Sequence, residues 1–183
     1  PLNKEGLRFE STNALFDINE GIIYAKKVPH IDVADSRIYP FENKVDIHKG
    51  ADIQRLKKSR ILASRTQKFH QLYDGDIKLE GRYALSGSAS YEFKDKHNTH
   101  QVIKFNKIHV KGRGDTSIIA KGNIRDSSSF FLSPKIAYKG KTELYSNQRD
   151  IFFSGYVKPQ HSLIYYPSRW FRYSGQPKPE NVI

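Results

Sequence analysis

The sequence predicts an all-β fold made of stacked short strands, as a β-solenoid, a β-jellyroll or an elongated sandwich. Short runs of β-branched and aromatic residues recur at roughly six- to ten-residue intervals along the chain. No long segment carries the apolar period of a helix. Aromatic residues make up 13% of the 183 residues, which is too many for a disordered chain and suits half-buried strand faces.

The first third of the chain predicts a series of strands. Residues 7–18 alternate apolar and polar side chains and predict the first strands. From residue 21 to residue 64, short alternating runs are separated by prolines, glycines and charged pairs. Residues 51–62 have some helical spacing, so one short helical turn is an alternative there, although a strand–turn–strand arrangement fits the neighbouring runs better.

The clearest two-residue period lies in residues 69–93, and further alternating runs follow residue 100. Asp74-Gly75 is a preferred turn dipeptide and predicts a hairpin turn just before Ile77, although with Asp76 it also resembles a fragment of a calcium loop. Residues 94–100 predict a polar hairpin loop, and residues 111–115 predict the next turn.

We expect residues 1–174 to form a single β-stack module. Residues 175–183 predict a Pro-rich linker or the start of a following element. The chain has no Met, and Val182-Ile183 resembles the beginning of another strand, so we expect a section of a longer protein. The absence of Cys excludes disulfides and thiolate metal sites. No apolar run approaches the ~18 residues of a membrane-spanning helix.

The charge favours anionic partners, because 31 basic and 19 acidic residues give a formal net charge of +12. Several basic side chains share the strand face opposite Ile108 and Val110 or lie close by, and they are our candidate anion-binding residues. They are Lys104, Lys107, Lys111, Arg113, Lys121 and Arg125. Two further basic clusters are Arg55, Lys57, Lys58, Arg60, Arg65 and Lys68, and Lys135, Lys139 and Lys141. A solvated lysine face that prevents edge pairing is the equally weighted alternative.

Residues 165–173 are aromatic and basic, and allow two interpretations. Their side chains could stack on a sugar ring or a base. More often, such a segment covers the apolar end or side of a β-stack, and we favour this cap. The candidate contact or cap residues are Tyr166, Arg169, Trp170 and Tyr173, with Arg172 beside them.

The sequence contains no catalytic signature, and we expect no cofactor, metal site or catalytic residue. His97 and His100 are close enough to share a metal, but no further ligand completes the set. No Gly-rich phosphate loop, nucleophile elbow or metalloprotease motif occurs. Arg113-Gly114-Asp115 is a tripeptide known from integrin ligands, but it is also ordinary turn chemistry. A glycosidase with two converging carboxylates is a weaker hypothesis.

Two stretches resemble known families. Residues 16–40, with an Ala34-Asp35 step, resemble the repeats of OstA-like lipopolysaccharide-transport proteins, which stack into a periplasmic β-jellyroll. Residues 83–155 are similar to segments of very large envelope proteins of Bacteroidetes-type bacteria. The resemblance implies a repeat module that is periplasmic, outer-membrane-associated or extracellular, and it assigns no catalytic residue.

These observations predict a non-enzymatic structural or binding module of a larger secreted or cell-envelope protein. An anionic glycan or glycolipid is the expected ligand, and flanking modules of the same chain are expected neighbours. A nucleic-acid-binding β-domain is the alternative, because the same charge would attract a phosphate backbone.

Overall fold

The computed structural model describes residues 6–48, 53–94, 99–112, 114–125, 130–160 and 169–175. These residues form strands and one 3-10 turn at Phe41–Asn43, without an α-helix, which confirms the predicted all-β class. No helix among them is long and apolar enough to cross a membrane. The strands are β1 (Asn13–Asp17), β2 (Ile22–Lys26), β3 (Ile31–Val33), β4 (Ser36–Tyr39), β5 (Lys44–His48), β6 (Gln54–Leu62), β7 (Gln71–Leu79), β8 (Leu85–Lys94), β9 (His100–Gly112), β10 (Asp115–Ile124), β11 (Phe131–Ser133), β12 (Ile136–Tyr145), β13 (Phe152–Pro159) and β14 (Phe171–Gly175).

The strands form two antiparallel sheets. The small sheet has the order β1-β2-β5. The large sheet has the order β14-β13-β12-β10-β9-β8-β7-β6-β4-β3, and β11 pairs with β12 beside this path. Most neighbours in the large sheet are also consecutive in sequence, so the chain runs back and forth as a meander. This antiparallel pairing matches the sandwich and jellyroll alternatives better than a parallel solenoid.

Several strands are longer than the sequence runs that predicted them. The runs at residues 103–105 and 108–110 belong to one 13-residue strand, β9, whose register with both neighbours shifts between them. The predicted hairpin turn at Asp74-Gly75 is wrong, because both residues lie inside β7 at a register irregularity where Asp74 has φ 50°. Within residues 53–62, the chain forms strand β6 and no helical turn.

A single core cluster joins the early and late strands. It includes Ile31 and Ile38 from the beginning of the large sheet and Tyr138 and Phe153 from its end, all fully buried. His70, before β7, adds a polar link between early and late strands, because its Nε2 lies 2.7 Å from the carbonyl oxygen of Gln148 in the turn after β12. The large sheet therefore has an inner face on the core and an outer face toward solvent.

Candidate anion-binding groove

A row of outward side chains crosses the last three strands of the large sheet. Lys139 on β12 is paired with Tyr156 on β13, which is paired with Arg172 on β14. Paired residues of antiparallel strands project to the same face. On β12, Tyr138 and Thr142 are buried. Because successive side chains of a strand point to opposite faces, Lys139 and Lys141 face outward.

A second outward row lies two residues away on the same three strands and extends to β10. It carries amide, ammonium and hydroxyl groups that can exchange hydrogen bonds with a polar ligand. Its members, in order across β10, β12, β13 and β14, are Asn123, Lys141, Ser154 and Ser174. Together with Arg125, which follows β10, residues of the two rows line an open groove of about 710 Å³.

The floor of the groove contains two glycines that face each other. Gly140 on β12 is paired with Gly155 on β13. A Cβ on Gly155 would lie 2.2 Å from the carbonyl oxygen of Lys139, and a Cβ on Gly140 would lie 2.6 Å from the Cα of Gly155. Gly140 also has φ +141°, which glycine adopts far more readily than other residues. The close approach of the two backbones therefore requires both glycines.

A buried tyrosine fixes the sheet beneath these glycines. Tyr138 is fully buried, and its hydroxyl donates a hydrogen bond of 2.6 Å to the carbonyl oxygen of Lys141. Burial raises the pKa of Tyr138 well above its ordinary value, so the hydroxyl stays protonated and remains a donor. The bond fixes the backbone that carries Lys139 and Lys141.

The groove is strongly positive. Among the described residues, its lining includes the four cations Arg125, Lys139, Lys141 and Arg172, and no carboxylate. None of the four forms an ion pair with a carboxylate among the described residues. The Lys139 ammonium instead lies 4.4 Å from the centroid of the Trp170 ring, a cation–π contact that leaves its charge uncompensated.

The predicted anion-binding residues do not form one continuous stripe. Arg125 lines the groove, whereas Lys104 and Lys107 are exposed on β9 outside its lining. Lys121 pairs with Glu143 at 3.2 Å, and Lys111 pairs with Asp115 at 2.8 Å. Arg113 lies outside the described residues. The structure thus places one predicted cation beside lysines of a different sequence cluster.

The C-terminal aromatic segment contributes to both the groove and the core. Trp170 contacts Lys139, and Tyr173 is half-buried and packs against the core cluster. Arg169 is exposed, and Tyr166 lies outside the described residues. Tyr156 and Ser154 are not predicted as site residues from the sequence, since only the pairing of β13 with β12 and β14 brings them to the groove.

Two other sequence motifs have their carboxylates engaged. Asp115 of the Arg-Gly-Asp tripeptide accepts hydrogen bonds from Lys111 and Ser117, which hold its pKa well below the ordinary value. Asp76 of the calcium-like fragment pairs with Arg55 at 2.6 Å. Within the described ranges, no group of three or more His, Asp or Glu residues could hold a metal ion. His97 lies outside those ranges, and His100 pairs with Glu92.

Comparison with known proteins adds no relative from which a ligand could be transferred to the groove. We find no match to the chain among protein-family models, curated proteins or solved structures. The chemistry of the groove therefore rests on its own residues.

Proposed function

We propose that this chain is a non-enzymatic binding module that holds an acidic saccharide in the groove between β10 and β14. The observation that carries the proposal is the set of four cations around a glycine floor, none of which forms an ion pair with a described carboxylate. Cations in a concave site attract anions more strongly than the same charges on a convex surface. The guanidinium groups of Arg125 and Arg172 can also bind carboxylate or phosphate in a bidentate manner.

The other groups of the groove support a saccharide as the bearer of the negative charge. Asn123 and Ser154 supply donors and acceptors that match sugar hydroxyl groups. Tyr156 is 49% exposed, which leaves its ring available for the apolar face of a sugar. The groove thus combines a few polar and charged groups with an aromatic surface, as ligand sites commonly do.

The packed core supports a saccharide headgroup, rather than a lipid chain, as the part that is bound. Large core side chains such as Ile61, Phe105 and Phe153 have no exposed surface. Protein interiors of this kind are close-packed, so an acyl chain could occupy the space of these described core residues only by displacing them. A free acidic glycan and the headgroup of an acidic glycolipid therefore present the same chemistry to the groove.

The distribution of charge supports a saccharide over a nucleic acid. Binding along a phosphate backbone uses an extended basic track with many lysine and arginine contacts. Beyond the groove, the ion pairs Lys121–Glu143 and Lys111–Asp115 interrupt such a track on β9, β10 and β12. By itself, the groove is a compact site that suits a short ligand.

As part of the same proposal, we place the module in a secreted or cell-envelope protein. Two observations from the sequence support this location. Residues 16–40 resemble repeats of periplasmic transport proteins, and residues 83–155 are similar to segments of large envelope proteins. The proposed ligand class, acidic glycans and glycolipids, is also abundant at cell surfaces.

Isothermal titration calorimetry with trigalacturonate, an acidic trisaccharide, tests the proposal, with its fully methyl-esterified form as the uncharged control. We expect only the acidic form to bind. Lys141→Glu should weaken binding about 10-fold or more, because a charge-assisted contact contributes about 1.5–3 kcal/mol. Lys57→Glu on β6 changes the net charge equally but lies away from the groove, so it should change affinity less than about 2-fold.

Equal losses in the two variants would contradict the proposal, since they would indicate a general effect of net charge. Tighter binding of an oligothymidylate, with a steep dependence on salt, would favour the nucleic-acid alternative. Vesicles carrying a glucuronic-acid glycolipid distinguish the two saccharide sources. Binding to them that Lys141→Glu abolishes would show that the groove accepts a glycolipid headgroup.

A further inference from the structure

We infer that the ligand of this groove carries two anionic groups, one on each side of a single sugar ring that lies on Tyr156. This inference rests on the proposed function and specifies its ligand class. It follows from the positions of the cations relative to β13, and not from their number.

The cationic residues start from strands on opposite sides of Tyr156. Lys139 and Lys141 project from β12, and Arg125 follows β10 on the same side. Arg172 projects from β14 on the other side. Neighbouring strands are about 4.8 Å apart, so Lys139 and Arg172 begin about 10 Å apart at the backbone, with Tyr156 between them.

The contact between Lys139 and Trp170 lies beside the exposed ring of Tyr156 on the outer face of β13. Lys139 belongs to β12 and Trp170 immediately precedes β14, so their cation–π contact at 4.4 Å spans the intervening strand. It also holds the Lys139 ammonium in place without neutralising it. A ring seated on Tyr156 therefore has Lys141 and Arg125 toward β12 and β10 at one border and the Arg172 guanidinium at the other, with the Lys139 ammonium beside Trp170.

This geometry discriminates between ligands with one and two charges. A ligand with one anionic group can contact only one of the two cation groups at a time. A sugar ring substituted with anions at both ends can contact both, and the second contact then forms within an existing complex. The ligand class is therefore a saccharide with phosphate or carboxylate groups flanking one ring.

Glucose 1,6-bisphosphate is the probe for this inference, compared with glucose 1-phosphate and glucose 6-phosphate by calorimetry. We expect the bisphosphate to bind at least about 10-fold more tightly than either monophosphate. Pyrophosphate, which has two phosphates but no ring, should bind no more tightly than the monophosphates. Equal affinity of the bisphosphate and the monophosphates would overturn the inference.

Two exposed variants examine the individual contacts. Arg172→Gln should lower the affinity for the bisphosphate to that for a monophosphate, while changing monophosphate binding less than about 3-fold. Tyr156→Ala should weaken the bisphosphate about 5-fold and leave pyrophosphate unchanged. Lys57→Gln serves as the matched control, and circular dichroism verifies folding. An equal loss of mono- and bisphosphate binding in Arg172→Gln would contradict the two-group geometry.

The outcome separates this inference from the function on which it rests. Equal binding of mono- and bisphosphate that remains sensitive to Lys141→Glu would overturn only the two-anion geometry. Failure of the phosphosugars and of trigalacturonate to bind would overturn the proposed function as well.

Discussion

At the scale of single residues, the partners of a lysine determine what it can bind. Lys111 and Lys121 face carboxylates, and their charge is largely compensated. Lys139 contacts the Trp170 ring, which holds the ammonium without cancelling its charge. These three lysines cannot be distinguished from the sequence alone. In the structure, only Lys139 has no carboxylate beside its ammonium group among the described residues.

The Tyr138 hydroxyl should contribute measurably to stability. Tyr138→Phe removes the hydrogen bond to the Lys141 carbonyl oxygen and leaves that acceptor without this donor. We expect the free energy of unfolding in urea to fall by about 1–2 kcal/mol. Tyr156→Phe removes a hydroxyl from an exposed ring on the next strand and should change stability by less than about 0.5 kcal/mol. Equal effects of the two variants would contradict the assigned role of Tyr138.

At the scale of strands, the facing glycines allow β12 and β13 to approach closely beneath the groove. Gly155→Ala would place a Cβ 2.2 Å from the Lys139 carbonyl oxygen, so the two strands would have to separate. We expect a loss of about 3 kcal/mol in the free energy of unfolding, together with weaker ligand binding. Gly6→Ala meets no atom within 4 Å and is the control. A Gly155→Ala variant as stable as Gly6→Ala would show that the backbone relaxes easily.

The strands were predictable from the sequence, but their register was not. Alternation in residues 77–93 and 103–110 reports which side chains share a strand face, and the structure places strands there. Alternation carries no information about which distant residue lies opposite, so the alignment of Lys139 with Tyr156 and Arg172 could not be read from it. Asp74-Gly75 shows a second limit, since a preferred turn dipeptide also suits a bulge within a strand.

At the scale of the whole molecule, His70 links the start of β7 to the turn after β12, across three intervening strands of the large sheet. It is almost completely buried, with Nε2 at 2.7 Å from the Gln148 carbonyl oxygen and Nδ1 at 3.3 Å from the Tyr91 hydroxyl. Burial lowers its pKa below the ordinary value of 6.5, although the Gln148 carbonyl and Asp150 act in the opposite direction. The folded protein therefore keeps this histidine neutral under conditions that protonate it in the unfolded chain.

This burial predicts that stability decreases as the pH falls below about 6.5, because the unfolded chain then binds a proton that the folded His70 resists. The decrease should continue until the pH reaches the lowered pKa of the folded state. His70→Gln removes the titrating group and should flatten the dependence of the urea midpoint on pH. A residual slope is expected from His109, whose pKa is lowered by burial, Lys107 and Lys121. An unchanged slope in His70→Gln would contradict this role.

Binding of an acidic saccharide in the groove between β10 and β14 can be observed at the groove residues themselves. Titration of the ¹⁵N-labelled protein with trigalacturonate, followed by two-dimensional NMR, tests it most directly. We expect saturable shifts of the amide signals of Gly140, Gly155, Tyr156 and Arg172, with the signals of β6 around Lys57 unchanged. Shifts spread evenly over the exposed lysines of the molecule, or no shifts at all, would contradict it.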